Sequence, residues 1–596
     1  MPTWQQLRDV KLSEFSDAAD GWGKVSSRAN AAKDRVDNEM RARIHETQKS
    51  KTAEGAVGDL GRLSRNYQYL HTECGLIRTA LDGLATELAE PQRKLKQALE
   101  DAENLKFTVE SDGSVKYPTT VAVTVPLAPG PGVARPGAPV PFLAGKGEGG
   151  GDPNKAKAED IAERIAGAVR DAHEIDGRYA GVLRRLKAPA GLDVTNEMLV
   201  DAAADTKDVQ KNAKFLPESG IPKGKSPADN KKWWDGLSQE ERDEYATLYP
   251  AAVGALDGLP ATVRDDSNRM VLAETRAQVQ LDRDALGQEP DRMITTRRGG
   301  EPVMIENPEW RKWDKKRGEL DGKLKGMDAI EKRFADTGVE GLPEAYLLGF
   351  DAKGNGHAIV ANGNPDTAKH TAVYVPGTYS KLEGAGGDIK RMVSIWRESQ
   401  GMTPGESVST VTWIGYDAPQ SIVPEAMEKG WAHDGSPKLN QFLDGLQTVQ
   451  GGADKSHTTV IGHSYGSTVV GDASNRGKLA ADDIVVAGSP GMLVGDAGDL
   501  DVGKKHVWSE ATSDDLVPAG GKASGLGGYK WGIEKWHGVP FNAGYIQYVP
   551  SDEAFGAHRM NTDTSGHSGY WDSGSVSLRN QAAVVAGRYD QVKEAH

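Results

Sequence analysis

The 596-residue sequence contains one cysteine, Cys74. A single thiol cannot close an internal disulfide, and without a Cys-x-x-Cys pair there is no zinc ribbon or dithiol redox motif. No stretch approaches the roughly 18 apolar residues of a membrane span. The opening MPTWQQLRDVKLSEF lacks the basic start and apolar core of a secretory signal. Long basic runs are missing too: Arg297-Arg298 run straight into Gly-Gly-Glu and read as a solvated turn. With 72 Lys and Arg against 86 Asp and Glu, the formal charge is −14, which repels nucleic-acid phosphates and anionic lipid. GKGEGGG, near residue 145, follows no strand and ends in no Gly-Lys-Ser/Thr, so it is not a phosphate loop. Nucleic acid, a metal, a cofactor and a transmembrane segment are therefore not expected.

What is present divides the chain by composition, and its length allows about three to five domains. Residues 1–116 open with helix-forming sequence holding only Pro2 and Pro91 up to residue 106. Leu60, Leu63, Tyr67, Leu70, Cys74, Ile77, Leu81 and Leu84 recur at helical spacing. This predicts two long helices folded back near Lys51–Gly55, with Cys74 on an apolar face and Trp22 packed in the bundle. FTVESDGSVKYP then signals a β-hairpin around Asp112-Gly113. Residues 117–155 are Pro- and Gly-rich and read as a linker.

Helical pattern returns over 156–340. Ile161, Ile165, Val169, His173 and Ile175 are expected along one face. Helix starts are expected at Ser226-Pro227 and at Ser238, where Glu241 completes a capping box. Trp233 and Trp234 read as packing anchors. From 341 to 596 apolar strand runs alternate with helical segments, which predicts a mostly parallel α/β sheet with helices on both faces.

Within that region, TTVIGHSYGSTVVG places Gly462-His463-Ser464-Tyr465-Gly466 between a buried-type strand and a small-residue helix. The spacing G-x-S-x-G fits a nucleophile elbow. The central serine sits on a sharp strand-to-helix turn, and side chains two places either side would clash. Such a serine needs a base and an orienting acid, which follow it in the order acid, then histidine. Asp514 and Asp515, at the end of a predicted strand, are the candidate acids. His567, in TSGHSGYWD, is the candidate base, with His537 and His558 as competitors. His463, adjoining the serine, is expected to be structural. The oxyanion hole is assigned to the Tyr465 N–H and to Gly377 and Thr378 in VYVPGTYS.

Together VYVPGT, WIGYDAP, GHSYGS, VVAGSPG, GHSGYWD and SLRNQAAVVAG resemble an actinobacterial α/β-hydrolase family long catalogued as a domain of unknown function. The resemblance covers residues about 342–590, and KKWWDGLSQEERDEYATLYPAAVGALDGLPATVRDDSNR resembles the helical extension often attached to it. It implies the set Ser464, Asp515, His567. The family's acid is usually followed by Pro-Val, whereas Leu516 precedes Val517 here, so both aspartates stay open. Residues 1–106 resemble in shape the WXG-type proteins of type VII secretion. That family places Trp-x-Gly between its helices, and here Trp22 is followed directly by Gly23 near the start of the first.

The expectation is a serine hydrolase acting on a small-molecule or lipid ester through an acyl-enzyme. It would be cytoplasmic or exported by a non-Sec, type VII-like route. The alternative is a helical interaction or export module, with a helical protein partner, carrying a hydrolase-like domain that is inactive or acts as a lipid-damaging toxin.

Overall fold

The structure, a computed structural model, describes residues 3–119, 132–134, 152–186, 193–536 and 539–595. The chain forms two compact units, Met1–Asn30 with Leu70–Leu192 and Ala202–Glu218, and Ala31–Tyr69 with Asp193–Asp201 and Ser219–His596.

The first unit is mainly helical. Thr3 opens the helix Trp4–Asp9 with a capping box. The helix Leu12–Asp34 passes out of this unit after Asn30, and the π-helical turn Arg35–Met40, the helix Arg41–Thr47 and a break at Gln48–Ser50 belong to the second unit. The helix Lys51–Asn104 follows and rejoins the first unit from Leu70, so the break falls just ahead of the expected turn. Cys74 is buried on that helix, and burial pushes its thiol up to about 11. Trp22, expected to pack, is instead 40% exposed.

In the helix Pro153–Arg185 the buried stripe runs Ile161, Ile165, Ala168, Ala172, Ile175. Alternating steps of four and three track the 3.6-residue turn. A run of fours through Val169 and His173 drifts off it, and His173 is exposed. The hairpin at Asp112-Gly113 pairs Thr108–Val109 with Val115–Tyr117. Most of the expected linker lies outside the described residues, but Gly132–Ala134 adds a third strand against Val115–Tyr117.

In the second unit, Ser226 and Ser238 cap their helices as expected, the latter with Glu241 in a capping box. Trp234 is buried, and Trp233 meets the Tyr245 ring edge-on at 5.2 Å. Two antiparallel hairpins were not legible in the sequence. One pairs Met293–Arg298 with Glu301–Glu306 around Gly299-Gly300, both at positive φ. The other pairs Gly528–Trp536 with Val539–Tyr548.

The core of this unit is an eight-stranded sheet: β1 (Ala345–Asp351), β2 (His357–Asn362), β3 (His370–Val375), β4 (Val408–Ile414), β5 (His457–His463), β6 (Asp483–Ala487), β7 (Val507–Glu510) and β8 (His558–Arg559). The spatial order is β8-β7-β6-β5-β3-β4-β2-β1. All pairings are parallel except those of β2 with β1 and β4. Side chains alternate between two cores. Val373, Val375, Val460, Ile484 and Val486 face the helices Gly430–Gln450 (α2) and Tyr465–Arg476 (α3). Tyr374, Ile461, Val485 and Ala487 face the helices Ala385–Met402 (α1) and Val576–Val585 (α5). A sheet covered on both sides explains why its strands read as unbroken apolar runs.

Candidate active site

The central strand β5 ends at His463 and α3 begins at Tyr465, leaving Ser464 to make the turn. Its φ of 52° and ψ of −130° put a non-glycine residue in a sparsely populated region, which persists only where neighbours enforce it. The enforcement is visible. The Ser464 N–H donates to the Ala487 carbonyl on β6 at 3.0 Å. The Ser464 carbonyl accepts from the Ser467 N–H and hydroxyl at 3.0 and 2.6 Å. A Cβ on Gly462 would lie 2.7 Å from Ser467 Cα, and one on Gly466 would lie 2.1 Å from the Val375 carbonyl oxygen. Both glycines of the motif are therefore required by close backbone approach.

Two loops meet beside this turn. Residues 512–515 follow β7, and residues 566–570 follow β8. The Thr512 hydroxyl donates to the Gly566 carbonyl at 3.2 Å. The Thr512 N–H donates to the Tyr570 hydroxyl at 3.2 Å. Asp514 accepts the Gly566 N–H at 2.9 Å and so holds the second loop in place.

Asp515 is the carboxylate that reaches the imidazole. Its Oδ2 accepts from His567 Nδ1 at 2.8 Å and from the Tyr570 hydroxyl at 2.7 Å, and its Oδ1 accepts the Val517 N–H at 2.9 Å. The side chain is 1% exposed. Burial alone would disfavour its charge, but the bonds from His567, Tyr570 and Val517 outweigh it and hold the carboxyl below its usual range. With Nδ1–H given to the carboxylate, the His567 lone pair lies on Nε2.

His463 is buried behind this imidazole. Its Nε2 donates to the His567 carbonyl at 2.8 Å, the ring centroids are 4.8 Å apart, and Trp571 meets it edge-on at 4.9 Å. Burial first, and the charge of Arg391 next, push its pKa down to about 3, so it is neutral at ordinary pH. His463 has the structural role expected of it, supporting the His567 backbone, and it also lines the site cavity.

Of the competing histidines, His558 lies on β8, stacks on Trp508 at 4.4 Å and bonds Glu594 at 2.9 Å. His537 lies outside the described residues.

Ser464, Tyr465, His463, His567, Gly377 and Thr378 line one cavity of about 730 Å³. The loop after β3 passes against the elbow: a Cβ on Gly377 would lie 2.6 Å from Ser464 Cβ and 2.9 Å from the Tyr465 nitrogen. Tyr416 steadies that loop by donating to the Pro376 carbonyl at 2.8 Å. Among the described residues no group of three His, Cys, Asp or Glu is arranged to hold a metal ion, and no helix is long and apolar enough to cross a membrane.

Tyr570 and Gly488 were not singled out in the sequence. Tyr570 stands three residues after His567 in GHSGYWD, and that spacing was the available signal. Gly488, in VVAGSPG, has φ +57°, and a Cβ there would lie 2.7 Å from Asp515 Oδ2 and 2.9 Å from the His567 ring.

A doubly covered sheet, a serine at a strained strand-to-helix turn and a histidine–carboxylate pair beside it define a domain of the α/β-hydrolase fold. Comparison with known proteins agrees: residues 351–522 match a family model described as an alpha/beta hydrolase, and the C-terminal part of this chain is an alpha/beta hydrolase domain. An uncharacterized protein of Mycobacterium tuberculosis is 28% identical over 408 residues, covering 63% of this chain. The chain spans 58% of that relative's length. An uncharacterized protein of Mycobacterium bovis is 32% identical over 167 residues, 27% of this chain and 62% of its own. No solved structure gives a significant match.

Proposed function

We propose that the chain is a serine hydrolase that cleaves a carboxylic ester through Ser464, His567 and Asp515. Ser464 Oγ attacks the ester carbonyl while His567 Nε2 takes its proton, and the Asp515 carboxylate stabilises the imidazolium. The carbonyl electrons move onto oxygen, where the N–H groups of Tyr465 and Thr378, beside Gly377, receive the charge. The Tyr465 N–H belongs to the first turn of α3, where amides have no intrahelical partner and the helix dipole favours an anion. Collapse of the intermediate breaks the C–O bond, and His567 returns its proton to the leaving alcohol. Water, deprotonated by the same nitrogen, then releases the acid from Ser464.

The observation that carries this reading is the 2.8 Å bond from His567 Nδ1 to the buried Asp515, in the cavity that Ser464 also lines. It fixes the tautomer a general base needs. A fluorophosphonate probe is expected to label the wild type and not Ser464→Ala, and hydrolysis of p-nitrophenyl acetate should fall at least about 10³-fold in that variant. Labelling that survives the substitution rejects the assignment. Absence of labelling and of ester turnover in the wild type favours an inactive hydrolase-like domain.

A further inference from the structure

We propose that the natural substrate is an ester with a long apolar acyl chain, bound against the apolar part of the cavity lining; this rests on the hydrolase reading above. The cavity lining is of two kinds. Part of it is polar. Arg391 donates to the Tyr374 hydroxyl at 2.7 Å and to Asp388 at 2.9 Å, and Arg391, Asp388 and Ser568 all face the cavity beside His463 and His567. Another part is apolar: Ile422, Val423 and Met427 from the loop after β4, with Leu516 and Leu526 bracketing the helix Val517–Ser524 (α4).

The leaving alcohol must lie where His567 can return its proton. The polar side chains suit the alcohol oxygen, and the apolar side chains suit a hydrocarbon acyl group. Several of the apolar side chains are strongly exposed: Ile422 by 64%, Val423 by 70% and Leu516 by 80%. Branched aliphatic side chains held open around one cavity mouth mark a binding surface rather than packing. A chain running from Ser464 to the mouth removes them and its own methylenes from water together. An acetyl group reaches none of them.

Gly520 on α4 lines the cavity and is exposed, and a Cβ there would meet nothing within 4 Å. Gly521 lines the cavity too, but a Cβ there would strike the Pro490 carbonyl oxygen. A larger side chain can therefore be placed at Gly520 without a clash and at Gly521 it cannot.

The test compares p-nitrophenyl acetate with p-nitrophenyl octanoate, both below their aggregation concentrations. Each buried methylene can raise kcat/KM by up to about fourfold. The wild-type octanoate-to-acetate ratio is expected to be at least about tenfold. Val423→Asp and Leu516→Asp, at exposed positions that tolerate charge, should bring that ratio below about three. Gly520→Phe should do the same by crowding the cavity lining, with thermal melts reporting that each variant is folded. A wild-type ratio near one, in an enzyme that turns over acetate and labels at Ser464, overturns the acyl assignment alone and makes the apolar mouth a protein-docking surface. A high ratio that survives all three substitutions overturns it too. Absence of labelling and of turnover of either ester removes the hydrolase reading, and the acyl assignment with it.

Discussion

Strand β5 begins with one histidine and ends beside another histidine cluster, and its two ends use similar parts for different purposes. At the start, His457 Nε2 meets the buried Asp483 at 2.7 Å, and Asp483 also accepts from the Tyr589 hydroxyl, Trp508 Nε1 and His506 Nδ1. At the far end, Asp515 takes the His567 imidazole, the Tyr570 hydroxyl and one backbone N–H. Each end thus has a buried carboxylate, a histidine and a tyrosine. The difference lies in what the histidine has left. His457 spends both nitrogens, Nδ1 at the Val585 carbonyl and Nε2 at Asp483. His567 spends Nδ1 on Asp515 and borders a cavity shared with a strained serine at a helix N-terminus. On the proposed function, a histidine–aspartate pair alone does not mark a catalytic site; an unspent nitrogen and a positioned nucleophile do.

The largest predicted effects test that contrast directly. Asp515→Asn should lower kcat/KM by about 10³- to 10⁴-fold, because the amide no longer fixes the tautomer or stabilises the imidazolium. Asp483→Asn should instead cost about 3 kcal/mol of stability, since it leaves partnered buried donors unmatched, while activity per folded molecule stays within about twofold. Denaturant titration and ester kinetics on the same preparations separate the two. Equal loss of activity in both variants would erase the distinction between the ends.

The two ends should also respond oppositely to pH. Burial opposes the charge of His457, but its bonds to Asp483 and Val585 outweigh that and raise its pKa. The folded state therefore holds this proton longer than the unfolded chain. Its stabilisation is full below about pH 6.5 and is lost as pH rises through the raised value. His463, pushed down to about 3, behaves the other way: its contribution is full above about pH 6.5 and is lost as pH falls toward 3. One proton of difference is worth about 1.4 kcal/mol per pH unit. Subtracting variant from wild-type stability curves should show a slope above pH 6.5 for His457→Gln and one below it for His463→Gln. Parallel curves for either variant would contradict the corresponding shift.

The sheet and the elbow were legible in the sequence, the His457–Asp483 end of β5 was not, and the unread part has physical causes. The parallel strands announced themselves because burial on both faces makes them continuous apolar runs. The elbow was readable because Gly462 and Gly466 are each forced by a nearby backbone. The exposed hairpin of Met293–Arg298 and Glu301–Glu306 buries no face, so it carries no clean alternation. Strand β8, two residues long, is too short to show a period, which left His558 open as a base. Asp514 and Asp515 are adjacent in sequence, and only loop geometry separates the one that pins Gly566 from the one that meets His567. The apolar cavity mouth comes from loops after β4 and β7, where sequence gives composition but not direction.

The smallest effect is the finest test of the comparison. Tyr570 and Tyr589 each donate a hydroxyl to a carboxylate, at 2.7 and 2.6 Å, so removing either oxygen deletes nearly the same bond. A hydrogen bond to a charged group contributes about 1.5–3 kcal/mol. At Asp515, loss of the Tyr570 donor also weakens what holds that carboxyl below its usual range. Tyr570→Phe should therefore lower kcat/KM by about tenfold and move the acid limb of its pH profile upward. Tyr589→Phe should reduce stability by about 1 kcal/mol, because His457, Trp508 and His506 still satisfy Asp483, and should leave the pH profile in place. The profile is the deciding readout, since a purely structural loss at Tyr570 would lower the amount of folded enzyme without moving the limb.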